Sequence, residues 1–265
     1  MNIIVCAKQV IDVSEMKIDS NNKPVLSGVA QKINDIDKNA MEEAIKIKDK
    51  HGGKITVLTV GPTDAKERIK ELLAMGADEG VLVTAPKEMD YRTTTNLLAA
   101  AIKKIGEYDL VLCGEASVDL FSGQIGPRLA GYLDIPQITY AQKITVEKDK
   151  ITAERNMGET AVTSESKYPA LVTVTKEINE PRLPSLMQIL GAANKPINEW
   201  GADSLGTDID PKVQTVDLKG VSMDRKNIIY QNDLDESVTK LVENLEKEGF
   251  LRWYKWFLYT LMMKK

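Results

Sequence analysis

The chain has 265 residues, 43% apolar and 28% charged, an ordinary composition for a soluble globular protein. Its 35 basic and 39 acidic residues leave a net charge of −4, which argues against bulk nucleic-acid binding, since that needs concentrated positive charge. A single histidine and two cysteines, without a Cys-x-x-Cys pair, leave no material for a histidine-based triad or a multi-ligand zinc site.

The apolar run Ile3 to Ala7 reads as a strand, with no charged leader or cleavage pattern before it. Residues 38–50 place Met41, Ala44 and Ile45 at helical spacing and stop at Gly52-Gly53, so His51 reads as a helix C-terminal residue. A second strand is expected from Lys54 to Val60. A helix over 63–76 follows, with Thr63 as N-cap, Ala65, Ile69 and Leu72 on one face, and Gly76 past its end. "GVLVT" (80–84) is a third strand. Residues 93–108 form a helix with Leu98, Ala101, Ile102 and Ile105 on one face, and "DLVLC" (109–113) is a fourth strand. Cys6 and Cys113 close apolar runs and read as buried thiols of a reducing compartment.

After Pro136 the rhythm changes. Residues 143–156 alternate around Lys148-Asp149 and predict a hairpin with one wet face, and Pro169 to Thr175 is another strand. A stretch of little periodicity runs to about residue 230. Residues 233–249 then put Val238, Leu241, Val242 and Leu245 on one helix face. The tail from Phe250 is aromatic, apolar and basic; it reads as a helix packed on the chain or a partner, or as a membrane-surface helix. No apolar run approaches the roughly 18 residues that span a bilayer, so a cytoplasmic setting is expected. Continuous Val/Ile/Leu strands between amphipathic helices predict an α/β fold. It would be a doubly wound, mainly parallel, Rossmann-like sheet with an added β-hairpin. A globular part is expected over 1–195 and an extended C-terminal arm with a terminal helix over 196–265.

In such sheets ligands sit outside the carboxyl ends of the strands. The informative segments are therefore "AKQ" after the first strand, "GPT" after the second, and "GEASVDLFSGQIG" (114–126) after the fourth. There is no Walker lysine loop, no Gly-x-Gly-x-x-Gly and no Gly-x-Ser-x-Gly. A helix must begin between Ser122 and Pro127, where proline fits a first turn, with Ile125, Leu129 and Leu133 toward the sheet. Its first amides are unpaired and partly positive. Gly123 and Gly126 would let a ligand approach the backbone, Ser122 and Gln124 would add side-chain bonds, and a phosphate would find donors there without any lysine. Asp119 suits a ribose hydroxyl or a loop brace better than a phosphate. The same letters also fit a capped helix start with no ligand, and both readings stand.

Further on, Pro181 and Pro184 hold an extended turn beside Arg182. Ser185 then caps a short helix with Leu186, Ile189 and Leu190 on one side, which is either core packing or an exposed knob for a partner protein.

Six segments in order resemble the β subunit of electron transfer flavoprotein: "VCAKQVID", "NDIDKNAMEEA", "TVGP", "GQIGPRLAGYLDIPQITY", "YPALVTVTKEINEPR" and "LPSLM". The resemblance runs to about residue 200 and does not include the tail from Phe250. It implies a nucleotide-binding α/β domain (1–195, with a partner-recognition segment at 179–195) whose arm wraps an α subunit that carries FAD. In ordinary members the β pocket holds AMP. In electron-bifurcating members it holds the ADP half of a second FAD, which takes hydride from NADH. One electron then goes to ferredoxin or flavodoxin, and the other passes through the α flavin to a flavin-dependent dehydrogenase of acyl-CoA or hydroxy-acid type. The AMP type carries Asn-Gln-Thr-Gly at the loop; Gly123-Gln124-Ile125-Gly126-Pro127 follows the bifurcating pattern instead. Leu120-Phe121, and Gly158-Glu159-Thr160 before "YPALVT", depart from the usual family letters.

By matched position, adenine and ribose lie against Ala7, Asn39 and the backbone at Val60-Gly61, and the phosphates on Asp119, Ser122, Gly123, Gln124 and Ile125, with Cys113 and Gly114 also among the cofactor-binding residues. Leu186 matches the anchor leucine for docking dehydrogenases, with Arg182, Met187 and Ile189 around it; the lysines usual beyond it are Gly191, Ala192 and Ala193 here. The resemblance implies no catalytic side chain and no metal. The flavin carries the chemistry, and NADH oxidation belongs only to the assembled complex. Two rivals remain from the sequence: a non-bifurcating carrier with AMP, and a stand-alone adenine-nucleotide module, against which the long arm argues.

Overall fold

The protein is described by a computed structural model covering residues 1–86, 89–220, 225–231 and 233–251. Strand β1 (Asn2–Cys6) is followed by β2 (Gln9–Ile11), β3 (Lys17–Ile18), β4 (Pro24–Val25) and β5 (Gln31–Ile33). These short strands pair as two small antiparallel sheets, β2 with β5 and β3 with β4. Then come α1 (Asp35–His51), β6 (Lys54–Gly61), α2 (Lys66–Met75), β7 (Glu79–Thr84), α3 (Tyr91–Ile105), β8 (Leu110–Gly114) and α4 (Ile125–Leu133). The second half holds β9 (Gln137–Val146), β10 (Lys150–Asn156), β11 (Ala161–Lys167), β12 (Ala170–Val174), α5 (Leu186–Ala192), β13 (Ile197–Gly201) and α6 (Leu234–Lys247).

The main sheet has nine strands in the order β11-β10-β9-β12-β8-β1-β6-β7-β13. It is parallel from β9 to β13, and antiparallel only where β10 and β11 extend one edge. The doubly wound expectation is met. Alternate residues of β1 serve opposite faces, as strand geometry requires. Ile3 and Val5 pack with Met41, Ala44 and Ile45 of α1 and Ile69, Leu72 and Leu73 of α2. Ile4 and Cys6 pack with Leu97, Ala101 and Ile102 of α3 and Leu129 of α4.

Several local expectations shift. Thr63 does not cap α2: residues 63–65 make a 3-10 turn after Pro62, without a side-chain bond. Helix α3 starts earlier than expected because Asp90 caps it, its carboxylate accepting from the Thr93 amide at 2.7 Å. The expected hairpin is a three-stranded meander, since β11 pairs with β10 along its length. The first compact unit runs Met1–Gly220. Residues 197–201, expected in the arm, instead form β13 on the sheet edge beside β7. The second unit, beginning at Val221, contains α6, capped by Asp233. Of the aromatic tail, residues 252–265 lie outside the described residues. No helix among the described residues is long and apolar enough to cross a membrane.

Candidate functional site

Strand β1 lies between β8 and β6, which the chain places on its two sides at different times. Strand order therefore reverses at β1, and in such sheets the crevice that seats a ligand lies at the carboxyl ends of the strands at that point, here β1 and β8. The loops after these strands are "AKQ" and residues 115–124, both singled out by the sequence.

The first turn of α1 ties the two loops together. Asn34 donates from Nδ2 to the Ala116 carbonyl at 2.9 Å and accepts at Oδ1 from the Val118 amide at 3.0 Å. The Asp37 carboxylate accepts from the Lys8 amide at 2.9 Å and the Gly114 amide at 3.0 Å. Gly114 is needed for this approach, since a Cβ there would stand 2.7 Å from Asp37 Oδ1. Burial pushes the Asp37 carboxyl up to about 6, and the two amide donors hold it below where burial alone would take it.

A lysine does stand beside the loop, though it is paired with a carboxylate of the loop itself. Lys8 Nζ sits 2.8 Å from both carboxylate oxygens of Asp119 and 3.4 Å from Ser117 Oγ. Strand β1 ends at Cys6, and Lys8, two residues on, reaches the loop after β8 with its ammonium. Asp119 is a loop brace here, one of the two roles its chemistry suited. Lys8, Asn34 and Asp37 were missed as site residues. "AKQ" had marked the position of the first, and "NDID" ahead of an apolar-periodic run is a helix-start signal for the other two.

Beyond Asp119 the Phe121 amide donates to the Ser117 carbonyl at 2.8 Å, and the chain passes Phe121 and Gly123 with φ of 46° and 64°. Among the described residues, no protein group accepts from the amides of Ser122, Gly123 or Gln124. Helix α4 starts at Ile125, so its first-turn amides continue this run. The Gln124 side chain turns back along α4, where Oε1 accepts from Arg128 Nε at 3.0 Å. Gly126 does not face a ligand as expected. A Cβ there would lie 2.3 Å from Thr173 Cγ2 and 3.4 Å from Cys113 Sγ, so this glycine lets α4 press onto the sheet. The Cys113 thiol lies sealed beneath it, and of the pair Cys113-Gly114 only the glycine takes part in the loop contacts. Burial raises the pKa of both Cys6 and Cys113, leaving them neutral thiols. Burial, with help from the Glu177 charge, raises Glu115 as well.

Ala7 donates its amide to the Leu58 carbonyl at 2.9 Å, and Val60-Gly61 end the adjacent strand. Asn39 is elsewhere. It is buried one turn further along α1, where Nδ2 donates to the Asn179 carbonyl at 2.7 Å and the Lys176 carbonyl at 3.2 Å, while Asn179 returns a bond to the Asn39 carbonyl at 3.0 Å. Its amide anchors the 179–182 turn.

Arg182 is likewise committed within the chain. Its Nε and Nη2 donate to the two oxygens of buried Glu42 at 2.9 and 3.0 Å, and its own amide adds a third bond at 3.1 Å. Ser185 caps α5 in a reciprocal box with Gln188, as the sequence indicated. Leu186 and Met187 stand 71% and 77% exposed, with Ile189 beside them, so the apolar side of α5 is a knob and not core. A groove of about 570 Å³ runs beneath it, lined by Ile33, Arg68, Met75, Pro181, Pro184 and Ile189.

Residues 25–205 match the electron transfer flavoprotein domain. The chain is 41% identical over 255 residues to the electron transfer flavoprotein subunit beta of Thermoanaerobacterium thermosaccharolyticum, covering 92% of this chain and 98% of that one. It is 42% identical over 223 residues to the subunit beta of Clostridium acetobutylicum, covering 83% and 84%. It is 40% identical over 210 residues to the caffeyl-CoA reductase-Etf complex subunit CarD of Acetobacterium woodii, covering 78% and 80%.

Proposed function

The chain belongs to the electron transfer flavoprotein family as a β subunit, and from that premise we propose that its β1/β8 crevice holds the ADP half of a second FAD in an electron-bifurcating complex. A β subunit of this family implies an α-subunit partner. The observation that carries the proposal is the run of unpaired amides from Ser122 through Gln124, leading into α4. Such amides accept a pyrophosphate without further charge. Asp119 alone would repel that anion, but Lys8 pairs with it at 2.8 Å and leaves the crevice rim without a free carboxylate there. FAD over AMP is supported by the Gly123-to-Pro127 letters, which match the bifurcating pattern.

When bound, the flavin supplies the exchange between two-electron and one-electron chemistry, with NADH as donor. The chain's own part is to bind and orient. Gly114 lets Asp37 close against the loop after β8, the 122–124 amides fix the phosphates, and Asn34 and Asp37 hold the two loops in register. Ferredoxin or flavodoxin is the proposed low-potential acceptor, and a flavin-dependent dehydrogenase the other. The exposed Leu186, Met187 and Ile189 suit the dehydrogenase, and the relationship to a subunit of a caffeyl-CoA reductase complex supports an acyl-CoA type. The open apolar face of α6 suits the α subunit.

Acid extraction and chromatography of the heterodimer test this directly. Two FAD per heterodimer is the expected content; one FAD with one AMP leaves a non-bifurcating carrier. A chain isolated without its α subunit and without bound nucleotide would leave the stand-alone module.

A further inference from the structure

Tyr140 in β9 has φ of 58°, the left-handed region that a residue bearing a Cβ seldom enters. It stands at an irregularity of the sheet, where the β12–β9 register slips between Val172 and Val174. Four bonds hold this stretch in place. Thr173 Oγ1 accepts from the Tyr140 amide at 3.0 Å. Arg155 donates from Nε to the Thr139 carbonyl at 2.6 Å and from Nη2 to Thr139 Oγ1 at 2.8 Å. The Ala141 carbonyl accepts from the Thr175 amide at 3.1 Å.

A bulge of this kind re-aims one side chain. Here it aims the Tyr140 hydroxyl at the loop after β8: a Cβ placed on Gly123 would lie 3.6 Å from that oxygen. The side chain is not core, since Tyr140 is 42% exposed. Among the described residues no protein group pairs with its hydroxyl. The backbone would accept glycine at this position with less strain. Strained residues held by surrounding bonds concentrate where ligands are held, and this one faces the unpaired amides of Ser122 to Gln124.

We infer that Tyr140 is a ligand-contacting residue of the crevice, its hydroxyl donating a hydrogen bond to the phosphate end of the nucleotide held on the 122–124 amides. This rests on the functional reading above. It adds a donor from β9, opposite the loop, so the phosphates are gripped from two elements. Thr173 serves both, its methyl fixing the residue allowed at 126 and its hydroxyl orienting Tyr140.

The test is calorimetric titration of ADP and of adenosine into the full chain, its Tyr140→Phe variant and its Tyr140→Gly variant. Tyr140→Phe is expected to weaken ADP about tenfold, the worth of one good hydrogen bond, and to leave adenosine unchanged. Tyr140→Gly should show the same loss of ADP while melting roughly 2 °C higher, because the strain is released. Unchanged ADP affinity in Tyr140→Phe overturns the inference alone. So does an equal loss of ADP and adenosine, or a lower melting point in Tyr140→Gly, since these mark a merely structural role. A wild-type chain that takes neither compound overturns the functional reading and this inference with it.

Discussion

Helices α1 and α6 carry the same kind of apolar stripe and meet different fates. α1 buries ten residues, among them Asp37, Asn39, Glu42 and Glu43. α6 buries none: Leu234, Val238, Leu241 and Val242 all stand exposed along it. Periodicity says that a helix has a face to hide, and nothing about what hides it. The buried polar groups of α1 name their partners within the chain, residue by residue. The exposed apolar groups of α6 stand open among the described residues, which is what a face awaiting another surface looks like.

That contrast can be broken by substitution. Removing the Arg182 side chain should cost the most, because it strands Glu42 as a buried carboxylate with one donor left. Arg182→Ala is expected to lower the unfolding free energy of the chain by about 3 kcal/mol in urea titrations; a loss within the range of a surface substitution would mean that α1 is not tethered this way.

Asp37 is next, and it gives a pH signature. Its folded value lies near 6, above the ordinary carboxylate value, because burial disfavours the charge. Between roughly pH 4 and 6 the folded chain keeps a proton that the unfolded chain has released. Stability from this group is therefore greatest on the acid side and falls as pH rises through that window, by on the order of 2–3 kcal/mol. Asp37→Asn should abolish that slope, while leaving one of the Lys8 and Gly114 amides without an acceptor. An unchanged pH profile would place the titration elsewhere.

The Lys8–Asp119 pair is half open to water, so Lys8→Met should change stability by less than about 1 kcal/mol. Smallest of all, Leu241→Asp on α6 should change the chain's own stability by no more than about 0.5 kcal/mol, yet abolish co-purification with the α subunit. Equal retention of the subunit would remove α6 from the interface.

Much of the fold could be read from the letters, because its core is local in pattern. Ile3 to Val5, Val57-Leu58 and Leu110 to Leu112 are unbroken apolar runs, and the helices between them show their stripes. The short strands β2 to β5 could not be read that way, since two or three partly exposed residues carry no period. Strand β11, "AVTSESK", has almost no apolar face and is a strand only because β10 is beside it. β13 is defined in the same way by β7. In the site, the loop after β8 and its free amides were legible as a strand–helix junction. Lys8 against Asp119 was not, being a contact across 111 positions of chain. Nor was the burial of Asn39 against Asn179, 140 positions away, which took it out of the crevice. Gly126 looked permissive for a ligand, and only the Thr173 methyl opposite shows that its absent side chain serves packing.

Asp37 and Glu42 are five residues apart on α1, about 7.5 Å of axis. The first fastens Lys8 and Gly114; the second fastens Arg182, at the root of the knob formed by α5. Whatever settles above Gly114 and whatever lands on Leu186 are thus moored to neighbouring turns of one uninterrupted rod, with no hinge lying between the two moorings.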